Sequence, residues 1–210
     1  MPVPSSERRT FLEKARKRYQ ADLLEDAFAV DYLTTSRYME WDNVTYFRLG
    51  VVGNPLPGHE AYKGMLSIPY MAPDGDTLDI RFKRLVGDGP KYLTTPGSKP
   101  RPFNTSAIEA HSDVMVLQEG EFDTMTWRQC GVPAIGVPGV DSWRPEWALI
   151  FKPYRSVIVP MDGDEPGRKF GATIAKALSN AHPVDLGDGM DSNDFYGQYG
   201  KDALLEKVGL

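Results

Sequence analysis

Cysteine is almost missing from this sequence. Cys130 stands alone among 210 residues, so no internal disulfide can form and a small disulfide-stapled fold is excluded. Histidine is nearly as scarce: His59, His111 and His182 lie far apart and, with one thiol, offer no spaced set of four ligands for structural zinc. Long apolar runs are missing too. Nothing approaches the ~18 residues of a membrane-crossing helix, mean hydropathy is -0.40, and the opening MPVPSSERRT has no apolar signal core. Several catalytic signatures are also lacking, among them a Gly-x-Ser-x-Gly elbow, a Gly-x-x-x-x-Gly-Lys-Ser/Thr phosphate loop, and a Gly-x-Gly-x-x-Gly after a strand. These absences leave a soluble intracellular globular protein, long enough for one large domain or two small ones.

Charge is present but unevenly spread. The net value is -5, which argues against nonspecific coating of nucleic acid. Residues 81–101 nevertheless carry six basic side chains and one acidic one, whereas residues 119–194 carry twelve acidic and seven basic. A basic segment followed by an acidic one suits a protein that grips phosphates with one region and divalent metal with the other. Two solvated faces would give the same distribution.

The hydrophobic pattern divides the chain. Leu12, Ala15, Tyr19, Leu23 and Ala27 recur at helical steps, predicting a helix over about 6–28 within an N-terminal segment 1–29. Thr10 and Glu13 suit a capping box, and Arg8, Arg9, Lys14, Arg16, Lys17 and Arg18 form a solvated outer face. Residues 30–110 lose helical periodicity and collect Pro and Gly. There, Met65–Tyr70 and Thr77–Phe82 read as strands joined by a turn at Pro73-Asp74-Gly75-Asp76. Leu78, Ile80 and Phe82 alternate with Asp79, Arg81 and Lys83, predicting one buried face and one wet, basic face in an α+β region.

From about residue 111 to 200 the pattern is α/β. Apolar strands at Val114–Leu117, Ala134–Val137 and Ser156–Met161 alternate with helices, one ending near Cys130 and one bearing Phe170, Ile174 and Leu178. That alternation predicts a parallel, doubly wound sheet, with a terminal helix in 201–210. Acidic residues fall just beyond three strands: Glu119, then Asp162 and Asp164, then Asp188, Asp191 and Asp194. Ligands of open α/β sheets bind at the carboxyl ends of strands. Carboxylates gathered there need a hard cation, Mg²⁺ or Mn²⁺. Gly163 is read as the tight turn that lets Asp162 and Asp164 face one ion, beside a helix N-terminus that favours phosphate. Asp123 lies one helical turn after Glu119. Taken singly, each of these acids also has an ordinary reading as a helix cap or a solvated turn residue.

These residues carry a resemblance. Val116-Leu117-Gln118-Glu119-Gly120-Glu121-Phe122-Asp123, Asp162-Gly163-Asp164-Glu165-Pro166-Gly167 and Gly189-Met190-Asp191-Ser192-Asn193-Asp194 resemble the three blocks of a TOPRIM domain, in the form found in bacterial-type DNA primases. Upstream, Tyr32-Leu33, Phe47–Gly50, Met65–Tyr70, Arg81–Leu85 and Pro90-Lys91-Tyr92-Leu93-Thr94-Thr95-Pro96 are similar to the basic subdomain of the primase core. The likeness covers about residues 30–200 and is strong to the compact primases of actinobacterial phages. It implies a TOPRIM-type parallel sheet preceded by a smaller basic α+β subdomain, and the synthesis of short RNA primers on single-stranded DNA from NTPs in the host cytoplasm.

The same resemblance implies Glu119, Asp162 and Asp164 as catalytic residues, and Glu119, Asp123, Asp162, Asp164, Asp191 and Asp194 as the Mg²⁺ or Mn²⁺ set. Arg81, Lys83, Arg84 and Lys91 become the nucleotide- or template-binding bases. The zinc-binding and helicase-binding domains of bacterial primases have no counterpart in the sequence, so a replicative helicase or a separate zinc-binding template-recognition protein is an expected partner. Two alternatives use the same residues: a stand-alone TOPRIM nuclease, and a non-catalytic nucleic-acid-binding subunit.

Overall fold

A computed structural model describes residues 4–139 and 142–210. The first three residues of the expected N-terminal segment, and Asp141 of the acidic stretch, lie outside the described residues. The chain forms two compact units, Met1–Lys99 and Pro100–Leu210. Residues 100–110, grouped by sequence with the basic region, thus pack with the second unit, to which Phe103 is tied by backbone bonds to Gly136.

The first unit is built on helix α1 (Ser6–Leu24) and an antiparallel sheet in the order β1 (Gly50–Val51), β2 (Leu66–Met71), β3 (Thr77–Lys83), β4 (Tyr92–Thr94). Leu12, Ala15 and Tyr19 of α1 pack with Val52, Ile80 and Phe82. Gly50 permits this approach, because a Cβ there would collide with the Tyr19 backbone. The cap of α1 is Ser5, whose hydroxyl accepts from the Arg8 N–H at 3.3 Å. Thr10 instead lies inside the helix, donating to the Ser6 carbonyl, and Glu13 accepts from Arg16 and Thr77. Ala27 falls in a new helix, α2 (Ala27–Asp31), started by Asp26. A π-helical turn at Tyr32–Ser36 and α3 (Trp41–Tyr46) follow, in a stretch where the sequence showed no helical period.

The β2–β3 hairpin forms over Pro73–Asp76, with a register shift at Tyr70/Met71. Its second face is not wet. Asp79 and Lys83 are buried, Asp79 accepting from Ser98 at 2.9 Å and Lys83 lying 4.9 Å from the Tyr92 ring and 5.9 Å from that of Tyr32. Part of the α1 basic face is likewise engaged. Arg16 is buried and paired with Glu13, Arg8 donates to Thr95, and Arg9 bridges Asp76.

The second unit contains a four-stranded parallel sheet in the order β6 (Ala134–Val137), β5 (Val114–Glu119), β7 (Ser156–Met161), β8 (Ala181–Asp185). Alternate strand residues feed two cores. Met115, Leu117, Val157 and Val159 pack with Phe151 of α5 (Ala148–Phe151) and with Phe170, Ile174 and Leu178 on or just after α6 (Glu165–Ala177). Val116 and Ile158 pack on the opposite face with Trp127 of α4 (Glu121–Gln129) and with Phe195 and Leu204 of α7 (Ser192–Lys207). Both faces are covered, as a parallel sheet requires. Helix α7 is interrupted at Gly200, whose φ of 83° breaks it into two pieces. The terminal helix expected from the sequence is only the second of these.

Candidate metal centre and basic surface

Because β5, β7 and β8 are parallel neighbours, their carboxyl ends share one edge. Glu119 ends β5, Asp162 follows Met161 at the end of β7, and the loop after β8 leads through Asp188 to Asp191. Two of these loops are fastened together. Gly163 donates its N–H to the Met190 carbonyl at 2.9 Å and accepts from the Gly189 N–H at 3.2 Å. A Cβ on Gly163 would strike the Gly187 carbonyl. The glycine therefore serves close approach between loops rather than the tight turn expected from the sequence, and its φ is outside the left-handed region.

The carboxylates do different jobs. Asp164 caps α6, its Oδ1 accepting from the Gly167 N–H at 2.8 Å. Asp191 caps α7 in the same way, accepting from the Asp194 N–H at 2.7 Å. Asp162 caps nothing. Its Oδ1 is buried without a hydrogen-bond partner, and its pKa is pushed up to about 8, first by burial and then by the charges of Glu119, Asp191, Asp164 and Asp194. Four acidic side chains from three loops thus act electrostatically on one buried carboxyl. Asp123 has a contact of its own. It is buried and accepts from the Asn193 N–H at 3.2 Å, tying α4 to the start of α7.

Among the described residues, no three His, Cys, Asp or Glu side chains are drawn into a ready-made metal site. Asp164 and Asp191 are each turned toward their own helix as caps. The residues still fit a hard divalent ion. The donors are all oxygen, and Asp162 Oδ1 lacks the partner that a buried carboxylate oxygen ordinarily has.

A buried polar layer lies behind this edge, and the sequence reading did not single it out. Gln118 Oε1 accepts from Trp127 Nε1 and from the Ser192 hydroxyl, both at 3.2 Å. Asn193 Nδ2 donates to Thr126 Oγ1 at 3.0 Å. Gln118, Ser192 and Asn193 are fully buried, so this layer fixes the residues next to Asp191. The available signal was Ser192-Asn193 between two acids.

In the first unit, the four expected bases gather around β3 and β4. Arg81 lies over the Tyr92 ring at 4.2 Å, Lys83 at 4.9 Å, and the exposed Lys91 at 6.0 Å. Arg84 donates to the Pro90 carbonyl at 3.2 Å, fastening the loop that presents Lys91.

No family model matches the chain. The Gene 57 protein of Mycobacterium phage D29 is 44% identical over 151 residues, which cover 70% of this chain and 99% of that protein. The DNA primase of Aquifex aeolicus is 26% identical over 155 residues, 67% of this chain but 31% of that protein. Among solved structures, the zinc-binding and RNA polymerase domains of the Aquifex aeolicus primase superpose with a TM-score of 0.82 at 23% identity, over 98% of this chain and 61% of that one. A primase catalytic domain bound to single-stranded DNA gives 0.78 at 18% identity, over 95% of this chain and 77% of that one. The chain therefore spans about a third of the cellular primase sequence that it matches. With the parallel sheet, the acidic edge and this phage relative together, the chain belongs to the family of the mycobacteriophage Gene 57 protein, a family built on the fold of the bacterial DNA primase catalytic core.

Proposed function

We propose that this chain is a primase core that joins NTPs into short RNA primers on a single-stranded DNA template. One observation carries the reading: Asp162, its Oδ1 buried without a partner, feels the charges of four other acids at the carboxyl edge of a primase-type sheet. Asp162, Asp164, Asp191 and Glu119 are the residues that would hold Mg²⁺ or Mn²⁺ there, with Asp194 at the margin and Asp123 acting through Asn193. A divalent ion at that position supplies charge neutralisation for the triphosphate and the departing pyrophosphate. The chain's part is positioning. Asp162 would give up its proton on holding the ion, and Glu119 would either hold it too or take the proton of the primer 3′-hydroxyl. The buried layer under Asp191 keeps that loop from drifting.

In the first unit, Lys91 and Arg84 offer charge to phosphates, while Arg81 and Lys83 hold Tyr92 in place. Such contacts make template affinity fall with salt. The same reading gives a replicative helicase or a separate zinc-binding template-recognition protein as partner, in the host cytoplasm. No described helix is long and apolar enough to cross a membrane.

The test is RNA synthesis from labelled NTPs on single-stranded DNA with Mg²⁺ or Mn²⁺, scored in the same reaction for DNA cutting. Primer synthesis that Asp162→Asn abolishes is the expected result. Cutting without synthesis would transfer the site to the nuclease reading, and neither activity would leave a binding subunit.

A further inference from the structure

The second unit contains one guanidinium that nothing so far explains. Arg101 exposes 9% of its surface, yet its Nε and Nη1 are sealed from water without a hydrogen-bond partner. It takes part in none of the ion pairs of the described residues. A lysine or a carboxylate in that position could shed its charge, but an arginine remains protonated throughout the range in which proteins fold. Two of its three nitrogens thus forgo both water and protein partners, a cost that a buried donor ordinarily avoids.

The backbone beside Arg101 is firmly held, so the orphaned group is not a loose end. Phe103 exchanges both backbone hydrogen bonds with Gly136, at 2.8 and 3.0 Å, in an antiparallel bridge. Asn104, in the left-handed region at φ 60°, donates its side-chain amide to the Ala134 carbonyl at 2.8 Å. Since this run is antiparallel to β6, Arg101 lies from Phe103 toward the carboxyl end of β6. That is the edge where Val137 of β6 pairs in register with Glu119 of β5.

We propose that Arg101 is an anion-binding residue whose ligand is a phosphate group, supplied either by a nucleoside triphosphate or by the backbone of a nucleic-acid strand. The choice of phosphate rests on the function proposed above. The presence of an anion site rests on Arg101 alone. Phosphate oxygens accept charge-assisted N–H bonds from a guanidinium, and the Arg101 Nη2, which is not sealed as Nε and Nη1 are, is the atom that such a ligand would meet.

The experiment is calorimetric titration of inorganic triphosphate, and separately of a single-stranded DNA oligonucleotide, into wild type, Arg101→Gln and Arg101→Lys. Chelator is present throughout. No divalent ion and no synthesis enter the readout, so failure here is distinct from failure of the polymerase reading. Arg101→Gln is expected to weaken binding ~10-fold, the loss of one charge-assisted contact, and Arg101→Lys to recover part of it. Loss in the triphosphate arm alone assigns the site to nucleotide, and loss in the oligonucleotide arm alone assigns it to a strand. The thermal midpoint of ligand-free Arg101→Gln should match or exceed that of wild type, because an unpaired buried charge has gone. Equal affinity of all three proteins for both ligands overturns the proposal, as does the absence of binding by wild type. It is also overturned if both variants melt earlier while binding as wild type does, which would make Arg101 a structural residue. Should Arg101→Gln not fold, Arg101→Lys carries the same comparison.

Discussion

The two units treat charge in opposite ways. In the first, cations are absorbed locally: Arg81 and Lys83 lie on the Tyr92 ring, Arg16 pairs with Glu13, and Arg9 with Asp76. In the second, burial and the charges of Glu119, Asp191, Asp164 and Asp194 together push the Asp162 carboxyl up to about 8. Partnered charge stabilises a fold, whereas like charge held together costs stability and persists where a ligand removes the cost. Under the function proposed above, the acidic edge is arranged for something outside the molecule, while Arg81 and Lys83 also serve their own sheet through the Tyr92 ring. Lys91, exposed at the end of its loop, is the exception.

The largest expected effect breaks the comparison from the acidic side. Asp162→Asn should lower primer synthesis by ~100-fold or more, since an amide neither carries charge nor ligates a hard cation well. The fold should persist, and circular dichroism checks that. The same variant should stabilise the metal-free protein. Burial and the neighbouring acids push the Asp162 pKa up from the ordinary 3.8 to about 8, so the folded state binds the proton more tightly. Metal-free wild type should lose stability as pH rises from about 4 toward 8. Denaturant melts across that window should show the slope in wild type and a flatter one in Asp162→Asn.

Next in size is the buried layer behind the edge. Gln118→Ala leaves the Ser192 hydroxyl without its acceptor and Trp127 Nε1 with Ser192 Oγ alone, at 3.0 Å. Destabilisation of about 2 kcal/mol is expected by chemical denaturation. The basic unit then separates its two kinds of cation. Lys83→Met should cost about 1 kcal/mol of stability through the lost aromatic contacts. Lys91→Ala should leave stability unchanged and reduce the salt dependence of single-stranded DNA binding by roughly one phosphate contact. If Lys91→Ala destabilises the fold and leaves the salt slope alone, the distinction between absorbed and available charge fails.

The strands and their acidic ends were legible because continuous apolar runs such as Ser156–Met161 have few other ways to be buried, and Asp162 must follow where such a strand stops. The two-sided packing followed from the same runs, Met115 and Val116 pointing to opposite cores. What escaped was set by tertiary partners. Alternation in Thr77–Lys83 marks two faces but cannot tell water from a tyrosine ring, so Lys83 read as solvated although Tyr92 and Tyr32 cover it. Helix α7 begins at Ser192 because Asp191 caps it and Gln118 and Asp123 receive its first residues. The polar, glycine-containing sequence there has little helical period of its own. Gly163 was misread for a related reason. The constraint on it comes from Gly187 and Gly189, more than twenty residues away in the chain.

The most direct test is calorimetric titration of Mn²⁺ into the metal-free protein near pH 8, for wild type and Asp162→Asn side by side. Saturable binding by wild type, accompanied by proton release from Asp162 and lost or strongly weakened in the variant, is the predicted result. Absence of Mn²⁺ binding by wild type, or identical isotherms for the two proteins, would contradict it.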